Sequence, residues 1–144
     1  MATVVTPQFD SVQVGDVLPA QRFPVQRINL IMYAGASGDF NPIHWNERFA
    51  KLVGLPNVIA QGMFTMAEAG RVLTDFAGDP ARVVHYGVRF TRPVVVTDDD
   101  IGAVVEVSGE VVQKLDDGTV VIELTAVCGD DTVLGKARGI VRLI

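Results

Sequence analysis

Residues 115–128, LDDGTVVIELTAVC, decide the fold class. Asp116-Asp117-Gly118 is a tight-turn pattern, because glycine accepts the positive φ that hairpin turns demand. Beyond it, Val120, Ile122, Leu124 and Ala126 alternate with Val121, Glu123, Thr125 and Val127, giving one apolar and one mixed face. A period of two is that of a half-buried strand. Further out, Gly129-Asp130-Asp131 marks a second turn, and Arg92-Pro93 with Thr97-Asp98-Asp99-Asp100 interrupts the chain upstream. These breaks delimit strands at 83–91, 101–114, 119–128 and 132–143, expected as an antiparallel meander with one buried face. Valine usage agrees: 16 of the 25 valines lie at or after Val83, and β-branched side chains pack well on a pleated surface.

The first half has a different period. After an extended N-terminal segment, Ile28, Ile31, Met32 and Gly35 fall at helical spacing, which predicts a short helix ending by Ser37-Gly38. An irregular stretch follows. Met63, Met66, Ala67, Gly70 and Leu73 then predict a longer helix over 62–76, stopped by Gly78 and Pro80. The order of strand, short helix, long helix and four strands defines an α+β fold, with one long helix laid on an antiparallel sheet.

Composition excludes several functions. At 144 residues, 49% hydrophobic and 20% charged, the chain has material for one core, so 1–144 is read as a single domain. Twelve Lys and Arg against seventeen Asp and Glu leave a net charge of −5, which gives no general attraction to nucleic acid or to an anionic membrane surface. The single cysteine, Cys128, can form neither an internal disulfide nor a thiolate cluster and is expected to be packed in a strand. No apolar run approaches the roughly 18 residues of a membrane span, and the first residues lack a secretory pattern, so a cytoplasmic location is expected. His44 and His85 lie far apart without ligand spacing, so no metal site is expected, and no glycine-rich phosphate loop is present. His85, beside Tyr86 at the start of a strand, reads as a structural histidine.

Residues 33–45, YAGASGDFNPIHW, concentrate the unusual side chains. Pro42 lacks an amide hydrogen and pushes Asn41 away from helical geometry, so Asp39, Asn41 and His44 belong to a turn and not to one helix. A turn at Asn41-Pro42 can bring the Asp39 carboxylate and the His44 imidazole toward one water molecule, a pairing suited to acid–base chemistry near neutral pH. The same run also suits an ordinary capped turn in which Asp and Asn bond nearby amides, and spacing alone does not separate the two readings. Trp45, next to His44, either walls a site or packs the loop.

The run 33–44 resembles the hydratase motif of the MaoC-like (R)-specific enoyl-thioester hydratases and dehydratases. Val14-Gly15-Asp16, Gly54-Leu55-Pro56, residues 59–63 (IAQGM) and residues 88–94 (VRFTRPV) resemble landmarks of that family in the family's order. Length and sequence flavour are similar to those of the single-domain catalytic B-type subunits of actinobacterial (3R)-hydroxyacyl thioester dehydratases. The resemblance implies a hot-dog fold, a curled antiparallel sheet around a long central helix. It implies that Asp39 and His44 form the catalytic dyad, that Asn41 holds the loop or orients the pair, and that the Gly62 N–H receives the thioester carbonyl oxygen. A helix N-terminus, with unpaired N–H groups and a favourable dipole, suits that last task. Gln61, Met63 and Trp45 are candidate pocket residues.

Two positions depart from the family pattern. Gln61 stands where relatives usually carry His, and Gly70 stands where some carry Ser. The implied reaction is reversible hydration of a trans-2-enoyl thioester to a (3R)-3-hydroxyacyl thioester, without a cofactor, on acyl-CoA or acyl-ACP (acyl carrier protein). A basic patch at Arg82, Arg89 or Arg92 would offset the acidic charge toward an acidic carrier. A hot-dog thioesterase and a non-catalytic acyl-binding subunit are the alternatives, because fold alone does not assign function. Such domains pair their sheets, so a homodimer or a heterodimer with a related hot-dog subunit is expected.

Overall fold

A computed structural model describes residues 6–143. Strand β1 (Val17–Val25) leads to helix α1 (Arg27–Ser37), a short helix α2 (Glu47–Leu52) and the long helix α3 (Gly62–Ala77). Strands β2 (Val83–Phe90), β3 (Ala103–Lys114), β4 (Thr119–Cys128) and β5 (Asp131–Arg142) complete the chain. The five strands form one antiparallel sheet in the order β1-β3-β4-β5-β2. Strand ends fall within two residues of the sequence expectation, and α3 runs one residue further.

Three expectations need correction. Only β3, β4 and β5 form a meander. β1 occupies one side of β3 while β2 pairs with β5 at the far edge, so the chain from β2 to β3 must cross past β5 and β4 in the sheet order. α2 lies in the stretch expected to be irregular; the Asn46 side chain starts it by accepting the Phe49 N–H at 3.0 Å. The helical stripes also have a different phase. α1 buries Leu30 and Ala34 and leaves Ile28, Ile31 and Met32 at least half exposed. α3 buries Thr65, Ala69, Val72, Leu73 and Ala77, while Met63 and Ala67 stay outside. The period was legible, but which stripe turns inward does not follow side-chain size: Leu30 and Leu73 are buried, whereas Ile28 and Ala67 are exposed.

The core lies between that face of α3 and the concave side of the sheet, where Val105, Val107, Val111, Ile122, Ala126 and Val141 are at most 1% exposed. The alternation read from residues 119–127 is present: Val120, Ile122, Leu124 and Ala126 are buried. Leu73 fits over Gly139, where an added Cβ would lie 2.3 Å from a Leu73 methyl, so only glycine permits this approach. The curl of the sheet has a local source in β5. Leu134 to Ala137 advances three residues while β4 advances two, from Ala126 to Leu124, and β2 is likewise out of step, pairing Arg89 with Gly135 and Gly87 with Arg138. The extra residue makes a bulge, with Lys136 at φ 48°, and a bulge bends and twists its strand.

The crossing segment from β2 to β3 is tied to the chain before α3. Ile59 bridges Val95, the Ala60 N–H donates to Val94 O at 2.9 Å, and the Val96 N–H donates to Val58 O at 2.9 Å. Val58, Val94 and Val96 are buried beneath. The entry to α3 therefore sits in a small, backbone-bonded frame. Among the described residues, no helix is long and apolar enough to cross a membrane.

Candidate active site

α1 ends where the sequence requires. Gly38 takes a left-handed conformation, φ 77°, and its N–H closes on Ala34 O at 2.9 Å. The next residues form a chain of short-range bonds. Ser37 Oγ donates to Tyr33 O and accepts the Asp39 N–H; Asp39 Oδ1 accepts the Asn41 N–H at 3.3 Å; Asn41 Oδ1 accepts the Ile43 N–H at 3.3 Å. Pro42–His44 make one 3-10 turn, closed by the His44 N–H on Asn41 O at 3.0 Å. The capped-turn reading and the converging-pair reading describe the same segment, because this capping places Asp39 Oδ2 3.5 Å from His44 Nε2.

The two partners differ in environment. The His44 side chain is 8% exposed and that of Asp39 is 46% exposed. His44 Nδ1 lies 2.7 Å from Ile59 O. A carbonyl can only accept, so Nδ1 carries the proton and Nε2 is the nitrogen turned toward Asp39. Ile59 N–H returns a bond to Ile43 O at 3.1 Å, which joins the histidine turn to the frame before α3. Trp45 packs the loop: its indole N–H donates to Phe40 O at 3.0 Å.

A cavity of about 340 Å³ opens beside His44. His44, Gly62, Thr65, Phe90, Arg92 and Leu134 contribute to its wall. Gly62 is the first residue of α3, so its N–H has no acceptor within the helix, and it has none elsewhere among the described residues. The ring of Phe90 lies against Gly62, at 3.2 Å from where a Cβ would stand, which explains a glycine here in packing terms as well. Of the pocket candidates, Gln61, Met63 and Trp45 are all absent from this wall. Met63 is 56% exposed. Gln61 turns inward instead, donating from Nε2 to Leu30 O at 3.0 Å, and so ties the start of α3 to α1; its Oε1 is buried without a partner.

The remaining candidates stay apart. His85 is exposed on β2 and does not reach the cavity. Cys128 ends β4 half-buried, and burial pushes its thiol above the usual range. Gly70 leaves room for the Tyr86 ring, 3.0 Å from a hypothetical Cβ, and Tyr86 donates its hydroxyl to Met66 O at 2.9 Å. Burial pushes the Tyr86 phenol up to about 12. No cluster of three metal-ligating side chains occurs among the described residues.

Sequence reasoning missed Phe90, Thr65 and Leu134 as wall residues, since each reads as an ordinary helix or strand position. It also missed Arg27. That side chain donates to Val96 O at 2.6 Å, to Asn57 Oδ1 at 2.7 Å and to Glu47 Oε2 at 3.2 Å, bracing α1, α2 and the crossing segment behind the site. Lys51, and then Arg27, holds the Glu47 carboxyl below its ordinary range by hydrogen bonding. An isolated arginine at a helix start carries no periodic signal.

Comparison with known proteins fits this arrangement to a family. Residues 11–127 match the MaoC like domain, and the chain belongs to that family. It is 33% identical over 125 residues to an (R)-specific enoyl-CoA hydratase of Rhodospirillum rubrum, covering 80% of this chain and 83% of that protein. It is 42% identical over 78 residues to the 3-hydroxyacyl-thioester dehydratase X of Mycobacterium tuberculosis, covering 54% of this chain. A solved MaoC-like dehydratase superposes with a TM-score of 0.93 at 40% identity over 96% of the chain. The chain spans 27% of the length of the mycobacterial relative and 43% of the solved one. The sheet curled around α3 is the hot-dog fold of these relatives.

Proposed function

We propose that the chain catalyses the reversible hydration of a trans-2-enoyl thioester to a (3R)-3-hydroxyacyl thioester. The observation that carries this reading is the approach of Asp39 Oδ2 to within 3.5 Å of His44 Nε2, beside a cavity that Gly62 also lines. At that separation one water, lying to the side, meets both atoms at hydrogen-bond distance. The dyad takes a proton from this water as its oxygen bonds to C3; the C2–C3 π electrons move toward the thioester carbonyl, and C2 then takes a proton from the same site. The Gly62 N–H, reinforced by the α3 dipole, stabilises the enolate oxygen between the two steps. Asn41 holds the turn that sets the dyad spacing. Dehydration runs the same steps in reverse.

The substrate is an acyl chain on coenzyme A or on acyl carrier protein, and the chain 1–144 works as one domain in the cytoplasm. It pairs with a second hot-dog subunit, either a copy of itself or a related chain. The unpaired outer edges of β1 and β2, and the exposed Ile28, Ile31, Met32 and Phe40, support a partnered state.

The test is loss of enoyl-thioester absorbance on adding the purified protein, alone and with a neighbouring subunit. Asp39→Asn and His44→Ala are each expected to lower kcat by about 10³-fold, within the range of general acid–base contributions. Normal turnover in both variants would remove the dyad from the mechanism, and release of free thiol in place of hydration would replace the reading with a thioesterase.

A further inference from the structure

One hydroxyl on the cavity wall has almost no hydrogen bond. Thr65 is 5% exposed, stands three residues after Gly62 on α3, and lines the same cavity as Gly62 and His44. Its Oγ1 approaches Gln61 O at 3.5 Å, and that carbonyl already accepts the Thr65 N–H at 3.2 Å. Full hydroxyl bonds lie at about 2.5–3.0 Å, and buried polar groups in native proteins are rarely left without one. A second donor is therefore held, nearly unused, one turn along the helix from the Gly62 N–H.

We propose that the Thr65 hydroxyl is a second donor to the thioester carbonyl oxygen, completing with the Gly62 N–H a two-donor oxyanion site. This rests on the hydratase reading above. Gly62 and Thr65 both line this one cavity, on the first turn of α3, so a carbonyl oxygen seated there has the N–H and the hydroxyl on the same wall. In the free enzyme the hydroxyl has only a long contact to give up. When negative charge develops on the carbonyl oxygen, the bond becomes charge-assisted and short. Its strength is thus expressed mainly in the transition state, and that raises kcat more than it lowers KM. Thr65 would then touch the reacting atoms, which makes it a catalytic residue.

Thr65→Val keeps the side-chain shape and removes the donor, and Thr65→Ser keeps the donor. For hydration of a crotonyl thioester, Thr65→Val is expected to lower kcat on the order of 10²-fold, as for other single oxyanion donors, with KM within about threefold. Thr65→Ser recovers most of that loss. A bound 2,4-dienoyl thioester, whose absorbance reddens when its carbonyl is polarised, is expected to shift on the wild type and to lose that shift on Thr65→Val. Should valine prevent folding, Thr65→Ala provides the donor-less variant.

Unchanged kcat in Thr65→Val overturns the proposal. So does a loss that serine fails to recover while the dienoyl shift persists, the mark of a packing role. Absence of hydration by the wild type overturns the hydratase reading instead, and the dienoyl shift still judges Thr65 by itself.

Discussion

The sheet and the segment 37–62 are held together by different means. In β3, β4 and β5 the position of a residue follows from alternation: apolar side chains fill one face, and Val105, Ile122 and Val141 are fully buried without any polar group to satisfy. Between α1 and α3 the chain has few buried apolar anchors. Its geometry is set by side chains bonding backbone, from Ser37 through Asp39, Asn41 and His44 to Ile59 O. Burial is forgiving of detail, whereas a hydrogen-bonded turn fixes the aim of a side chain to a fraction of an ångström. Stability is accordingly concentrated in one region and the proposed chemistry in the other.

Substitutions can break that division. The largest effect is expected on activity, from the dyad variants, which should lose about three orders of magnitude in kcat while thermal melts stay within a few degrees of the wild type. A fall in Tm as large as that of a core variant would show that the turn also carries the fold. Leu73→Ala should do the opposite. Leu73 is fully buried over Gly139, so truncation is expected to cost about 2–5 kcal/mol by denaturant unfolding, with kcat per folded molecule little changed.

Arg27 lies between the two regimes. Arg27→Leu removes three hydrogen bonds at the junction of α1, α2 and the crossing segment, and is expected to cost roughly 2–3 kcal/mol while lowering kcat by about tenfold as the frame behind His44 loosens. A stability loss with no change in kcat would show that the dyad turn is independent of that brace. Tyr86→Phe should have the smallest effect, about 1 kcal/mol for its bond to Met66 O. In the wild type this phenol is expected to ionise near 12 in an absorbance titration, against an ordinary value of about 10. Because the folded value is raised, its contribution to stability is present below pH 10 and is lost as pH rises through about 12; a transition near 10 would place Tyr86 in water.

These two regimes also explain what was legible in the sequence. The strands of the second half were readable because Val120, Ile122, Leu124 and Ala126 repeat with period two between Asp-Gly turns. The phase of the helices was not. Leu30 and Ala34, and then Ala69 and Val72, are no more apolar than the Ile28, Ile31, Met32 and Met63 left outside, and only packing in the folded chain selects among them. The order of strands was hidden as well, since β1 claims an edge whose partners, from Val25↔Ala103 to Val17↔Glu110, lie far along the sequence. At the site, Asp39, Asn41, His44 and Gly62 stood out by residue type and through the family resemblance. Phe90, Thr65 and Leu134 became wall residues only once β2, α3 and β5 were brought to one place.

The bulge in β5 has a consequence for how such a fold changes over time. The sheet takes part of its bend at one extra residue, Lys136, held in a left-handed conformation that favours glycine and asparagine over lysine. Leu134, two residues before it, belongs both to the cavity wall and to the core, and Ala137, just after it, belongs to the core beneath α3. The bulge is thus a joint at which the strand passes from a segment shared by wall and core to one that serves the core. A substitution at Val133 or Leu134 therefore reaches the cavity wall and the core at once, whereas one at Ala137 or Val141 meets the core and not that wall.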